Sequence, residues 1–173
     1  MNSLRIVLTI ILALLVQTTL ARVLVRGPVG IDVVLVAVVY LALSSGPTIG
    51  LLSGTIAGLA QDSMGTGVVG IGSLAKTVIG LVSGVVGAQF IMAKPLPRFI
   101  VFFVASVVEA LLVLGMQVAL NIRQFGVPVA AITERALGNA FIGIALMQTI
   151  EVVPRVVERR RLNRARARTV RLR

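Results

Sequence analysis

The chain has 173 residues, is 57% hydrophobic and only 13% charged, and has a mean hydropathy of +1.03. A soluble domain carries nearer a quarter charged residues, so this composition predicts an integral membrane protein. It has no cysteine and no histidine, which excludes disulfides and thiolate metal sites and removes the commonest general base and metal ligand.

The apolar segments follow in order. Residues 6–25 are long enough to cross a bilayer at about 1.5 Å per residue. Thr19-Leu20-Ala21 would also suit a secretory cleavage site, but several further apolar segments argue for a retained span. Arg26-Gly27-Pro28 breaks the first segment. Asp32 then opens a second run, Val33 to Leu43, as an acid facing a helix N-terminus. That run is short for a span. Ser44-Ser45-Gly46-Pro47 is a turn, with Pro47 suited to the first position of the next helix.

Two glycine-laddered arms follow. On the first, Gly46, Gly50, Gly54 and Gly58 recur every fourth residue, and Asp62 takes the next step. On the second the same spacing gives Gly72, Lys76, Gly80 and Gly84. Steps of four keep these residues on one helix face, and small residues there let another backbone approach closely. Adjacent spans pack together first, so contact between the two arms is favoured over a partner-facing groove. Residues 61–67 read as the loop between the arms. Lys94 to Arg98 is a basic, proline-broken turn, Phe99 to Leu120 a further span, and Asn121 to Pro128 a polar loop. The last apolar segment runs from Ala130 to Val153 and begins with Glu134 and Arg135.

The predicted fold class is an all-α integral membrane protein, a six-helix transmembrane bundle, with five spans if the second run does not cross. Residues 1–154 form the helical domain and 155–173 a basic tail. Nine of the 17 basic residues lie in that tail, which predicts a cytoplasmic C-terminus and, with six spans, a cytoplasmic N-terminus. The Lys94–Arg98 turn agrees, whereas Arg22, Arg26 and Arg123 fall on the outer side. The tail suits anionic lipid headgroups better than nucleic acid, because no aromatic residue follows Phe141 for base stacking.

Lys76 and Glu109 are the two ionisable residues placed near mid-membrane, about nine and eleven residues into consecutive antiparallel helices. Opposite charges there offset much of each other's desolvation, so a structural ion pair is expected. A proton or ion pathway would call for a chain of such groups. Asp62 is expected to bond loop amides or a neighbouring helix N-terminus. Ser53, Ser73 and Ser83 have no base beside them and read as packing or helix-to-helix hydrogen bonds. No catalytic, cofactor or metal residues are predicted.

Residues 50–70, GLLSGTIAGLAQDSMGTGVVG, resemble the signature of the rod shape-determining protein MreD family. That family shows a Gly-rich helix, a Gly-Leu-x-x-Asp step, a small-residue loop and a second Gly-rich helix. Asp32 to Leu43, ending in Tyr40-Leu41-Ala42-Leu43, is similar to the helix that precedes them. The resemblance implies a non-catalytic subunit of the bacterial cell-elongation machinery in the cytoplasmic (inner) membrane. It would bind an MreC-like scaffold protein and support the elongation transpeptidase and glycosyltransferase in peptidoglycan synthesis. It also implies a fold resembling the substrate-binding subunits of energy-coupling-factor vitamin transporters, which supply the alternative function. Those subunits show an Ala-x-x-x-Ala face on the first helix; here Ala13 and Ala21 stand eight apart with Gln17 between them.

Overall fold

A computed structural model describes residues 3–23, 30–65, 68–90, 95–121 and 129–170. The Arg26-Gly27-Pro28 break, Lys94, Arg123 and residues 171–173 lie outside them. The described chain is all-helical: α1 Ser3–Val23, α2 Val33–Ser45, α3 Pro47–Met64, α4 Ile71–Gln89, α5 Pro95–Ala119 and α6 Val129–Val170. Three helices are long and apolar enough to cross a membrane: α4, α5 and Val129–Ile150 of α6. In α1 and α2 the apolar helical stretches are shorter, Ile6–Thr19 and Val33–Ser45. Glycine, serine, threonine, Gln61 and Asp62 lower the hydropathy of α3 below that of its neighbours.

The short second run turns out to be the centre of the molecule. With 13 residues, α2 rises about 20 Å, less than the roughly 30 Å of a hydrocarbon core. It is apolar on every side because every side is packed. α2 contacts all five other helices. Leu35, Val36 and Val39 join Ile79, Phe102, Ala105, Ala140 and Met147 in one core cluster. Val34, Val38 and Leu41 face the other way, against Ile10 of α1 and Ala57 of α3.

Several expected boundaries move. Residues 61–64 belong to α3 rather than to the loop. Pro95 to Arg98 form the first turn of α5 rather than a turn between helices. Proline is tolerated there because the first helical N–H groups have no intrahelical acceptor to lose. The backbone of α6 stays helical past Pro154 to Val170, so the end of the apolar segment is not the end of the helix. Seven of residues 155–170 are arginine, and with Glu158, Leu162, Ala165 and Ala167 they are good helix formers.

On the α3–α4 seam the two arms lie antiparallel and backbone to backbone. A Cβ on Gly50 would overlap the Gly80 carbonyl oxygen, and one on Gly80 the Gly50 carbonyl oxygen. A Cβ on Gly54 would meet the Lys76 carbonyl, on Gly58 the Ser73 Cα, and on Gly84 the Cα of Pro47. The ladder's faces are turned on each other, so these glycines present no open groove. Gly46 is the exception and corrects the expected ladder. Nothing lies within 4 Å of a Cβ placed there; its φ of +91° instead lets the chain turn between α2 and α3. Ser73 donates its hydroxyl to the Thr55 carbonyl (3.1 Å), and the Thr55 and Thr77 hydroxyls meet at 2.9 Å, so hydrogen bonds also cross the seam.

Candidate functional site: a buried charge cluster and its cavity

The sequence points to one ion pair, and the structure contains four interlocked charges. Lys76 Nζ lies 2.9 Å from Glu109 Oε1 and 3.0 Å from Asp32 Oδ2. Arg135 Nη2 lies 2.9 Å from Asp32 Oδ2 and 3.0 Å from Glu109 Oε2. Each carboxylate therefore touches both cations, and the cluster is formally neutral. The side chains of Asp32, Lys76 and Glu109 are at most 4% exposed, whereas that of Arg135 is 31% exposed. Neutrality is what makes such burial tolerable, because one unpaired charge in a low-dielectric site costs several kcal/mol (about 3–5).

Four helices deliver these groups. Asp32 is the N-cap of α2, and its Oδ1 accepts the Leu35 backbone N–H at 2.9 Å. This satisfies an otherwise orphan donor of the first turn. Asp32 N–H in turn donates to Asn139 Oδ1 (2.8 Å), and Asn139 Nδ2 donates to Ser106 Oγ (3.0 Å). Arg135 and Asn139 stand one turn apart on α6, as do Ser106 and Glu109 on α5, so each pair shares a face. Immediately after Arg135 and Asn139 on α6, Ala136 and Ala140 are fully buried. Their small side chains let α6 close on its neighbours. From α1, Gln17 donates to the Ile31 carbonyl (3.2 Å) and accepts the Val33 N–H (2.8 Å). Gln17, which interrupts the alanine pattern of α1, thereby clamps the entry to α2.

Lys76 sits nearer a helix end than expected. α4 starts at Ile71, not Val68, so Lys76 lies about 7 Å along the axis from that start. The cluster thus belongs to the end of the bundle where α2, α4 and α6 begin.

Asp62 serves the same end differently. Its Oδ2 accepts the backbone N–H of Gly70 (2.9 Å) and of Ser73 (3.0 Å). α4 has no side-chain cap of its own, because Gly70 stands at its N-cap with φ +109°. Asp62 caps it from the neighbouring helix and places negative charge at its positive dipole end. The contact also explains Gly72, where a Cβ would run into Asp62 Oδ1.

A cavity of about 290 Å³ opens onto this end. Asp32, Lys76, Glu109 and Arg135 line its charged wall, Gln61, Asp62 and Gln117 its uncharged-polar and capping wall, and Val68, Ile71 and Val113 its apolar wall. A second cavity of about 220 Å³, between α4 and α5, is lined mainly by valine and isoleucine, including Val78, Val82, Ile100 and Val104. Among the described residues no group of three His, Cys, Asp or Glu side chains could hold a metal ion.

No protein-family model, curated protein or solved structure matches the chain. The functional reading therefore rests on the residues and their arrangement.

Asp32, Arg135 and Asn139 are the members the sequence reading did not join to Lys76 and Glu109. A signal for two of them was present. Arg135-x-x-x-Asn139 is a polar stripe at helical spacing within an otherwise apolar segment. Asp32 carries no comparable spacing signal, since its first role is a local cap.

Proposed function

We propose that this chain is a non-catalytic subunit of the bacterial cell-elongation machinery. In this reading it crosses the cytoplasmic (inner) membrane six times with both termini in the cytoplasm. The observation that carries the reading is the α3–α4 hairpin. At the residues that resemble the MreD signature, glycines bring two helices into contact and Asp62 caps the second helix. A motif whose glycines and acid are spent on internal architecture suits a rigid scaffold that presents its outer surfaces to partners. An MreC-like scaffold protein would meet it within the bilayer or at the outer surface. The transpeptidase and glycosyltransferase would be held in the same assembly, and the arginine-rich end of α6 would lie on anionic lipid headgroups.

The rival reading is the substrate-binding subunit of a vitamin transporter. The polar cavity favours it by existing, but no aromatic residue lines that cavity. A cofactor-sized ligand wants convergent aromatic and polar groups.

Depletion in a rod-shaped bacterium should give rounded cells, and affinity capture should recover the scaffold protein without added vitamin. Normal cell shape on depletion, together with tight vitamin binding, would exclude the elongation reading and establish the rival. Reporter fusions test the topology separately: a cytoplasmic signal is expected after Arg168 and a periplasmic one at Gly65.

A further inference from the structure

We propose that the polar cavity binds a small uncharged molecule rich in hydroxyl groups, in the size range of a triol to a single sugar ring. The inference does not rest on the partner reading above. It rests on what the cavity wall has already used and what it has left over.

The charges are used. Asp32, Lys76, Glu109 and Arg135 neutralise one another, and Asp62 is held by the Gly70 and Ser73 amides. A charged ligand that paired with any of the four would have to displace its partner and leave a buried ion without a counter-charge, which is strongly unfavourable. What remains buried and unpartnered is one acceptor and one donor. Gln61 Oε1 and Arg135 Nε are buried and have no hydrogen-bond partner. Both belong to side chains that line the cavity.

As placed, neither atom faces the open space, and leaving a buried polar group unpaired costs about 1–3 kcal/mol each. Both side chains have several rotatable bonds. The Gln61 contact to Asp32 Oδ1 is long, at 3.5 Å, so little holds that amide where it is. A ligand that draws both groups toward it recovers part of that cost. A hydroxyl is a neutral group that does both through one oxygen, donating to a carbonyl oxygen and accepting from a guanidinium N–H. The apolar wall of Val68, Ile71 and Val113 suits the C–H faces of such a molecule. At about 290 Å³, with roughly 30 Å³ per water, the space exceeds a single hydration site and falls at the lower edge of small-molecule pockets.

The test is equilibrium binding of radiolabelled glycerol and glucose to the full chain in phosphatidylcholine nanodiscs. Saturable binding of at least one probe is expected. Val113→Phe narrows the cavity without touching any hydrogen bond described above, and Gln61→Met removes the orphan acceptor. Each should weaken binding by about tenfold or more, equivalent to about 1.4 kcal/mol. Circular dichroism separates lost binding from lost folding, and Val113→Phe stands alone should Gln61→Met fail to fold. Acetate and methylammonium should not compete. The proposal is overturned by the absence of saturable binding of both probes, by undiminished binding in folded Val113→Phe, or by competition from either ion at lower concentration than the polyols. Partner capture by Val113→Phe should stay at the wild-type level, so failure here and failure of the scaffold reading are distinguishable.

Discussion

Along the α3–α4 seam two backbones touch, through Gly50 against Gly80 and Gly54 against Lys76, with hydroxyls bridging at Thr55 and Thr77. At the polar end of the same α4, Lys76 reaches away from that seam to Asp32 and Glu109. One helix thus serves two kinds of contact. Its backbone face is matched by shape and joins segments adjacent in sequence. Its Lys76 side chain is matched by charge to Asp32 and Glu109, and Arg135 of α6 closes the same cluster on Asp32, 103 positions away. Shape tolerates small defects, because neighbours can shift. A neutral charge cluster does not, because removing any member leaves a net charge behind.

The largest expected effect follows from that difference. Lys76→Met or Glu109→Gln should each cost about 3–5 kcal/mol, because each leaves an uncompensated buried ion. The measurement is the yield of folded, monodisperse protein, or its thermal midpoint in detergent. Combining the two changes should recover part of the loss, since Asp32 and Arg135 still balance. Exchanging the charges, Lys76→Glu with Glu109→Lys, separates a four-membered cluster from an isolated pair. In an isolated pair the exchange restores function. Here it sets a carboxylate at position 76 against Asp32 and an ammonium at position 109 against Arg135. The exchange should therefore be no better than either single change; full recovery would show that the other two charges do not take part.

A seam substitution should cost less. Gly54→Leu or Gly80→Leu places a side chain where a carbonyl now lies. Overpacking of this kind costs about 1–3 kcal/mol, with more where the backbone cannot give way. Folded yield should fall in the isolated protein, before any partner is present. Unchanged yield with loss of partner capture would instead mean that the seam opens to admit a partner. Gly46→Ala tests a different cause. It meets no neighbour, but its φ of +91° disfavours a Cβ, so any loss there reports backbone strain alone.

The two regions also differ in how far the sequence revealed them. The seam was legible because glycine at every fourth position on two adjacent segments is a local pattern, and adjacent helices pack together. The Lys76–Glu109 contact was legible because isolated charges within apolar runs need partners. The full cluster was not. Asp32 satisfies a local cap as well as a distant ion pair, and the local role accounts for its presence before the distant one is considered. Arg135 lies close to the start of its helix, where a basic residue reads as a boundary. The central place of α2 was hidden for a related reason. Length alone marks a short apolar run as a doubtful span, while its lack of a polar face marks it as buried on all sides.

The smallest expected effect tests whether the two regions are mechanically joined. Asp62 stands at the junction: it belongs to α3, caps α4, and lines the same cavity as the charge cluster. Asp62→Ala removes an acceptor from two backbone N–H groups and should cost about 1 kcal/mol, the usual value of an N-cap. Asp62→Asn keeps a side-chain acceptor and loses only the charge facing the α4 dipole, worth about 0.3–1 kcal/mol. The expected order of thermal midpoint is therefore wild type, then Asn, then Ala. The junction adds a second expectation. If the cap holds α4 in register along α3, loosening it shifts Lys76 relative to Asp32 and Glu109, and Asp62→Ala combined with Lys76→Met should then depart from additivity. Residues that share no partner add to within a few tenths of a kcal/mol, so a larger discrepancy measures the coupling directly. Strict additivity would mean that the seam and the charge cluster are independent devices that happen to share one helix.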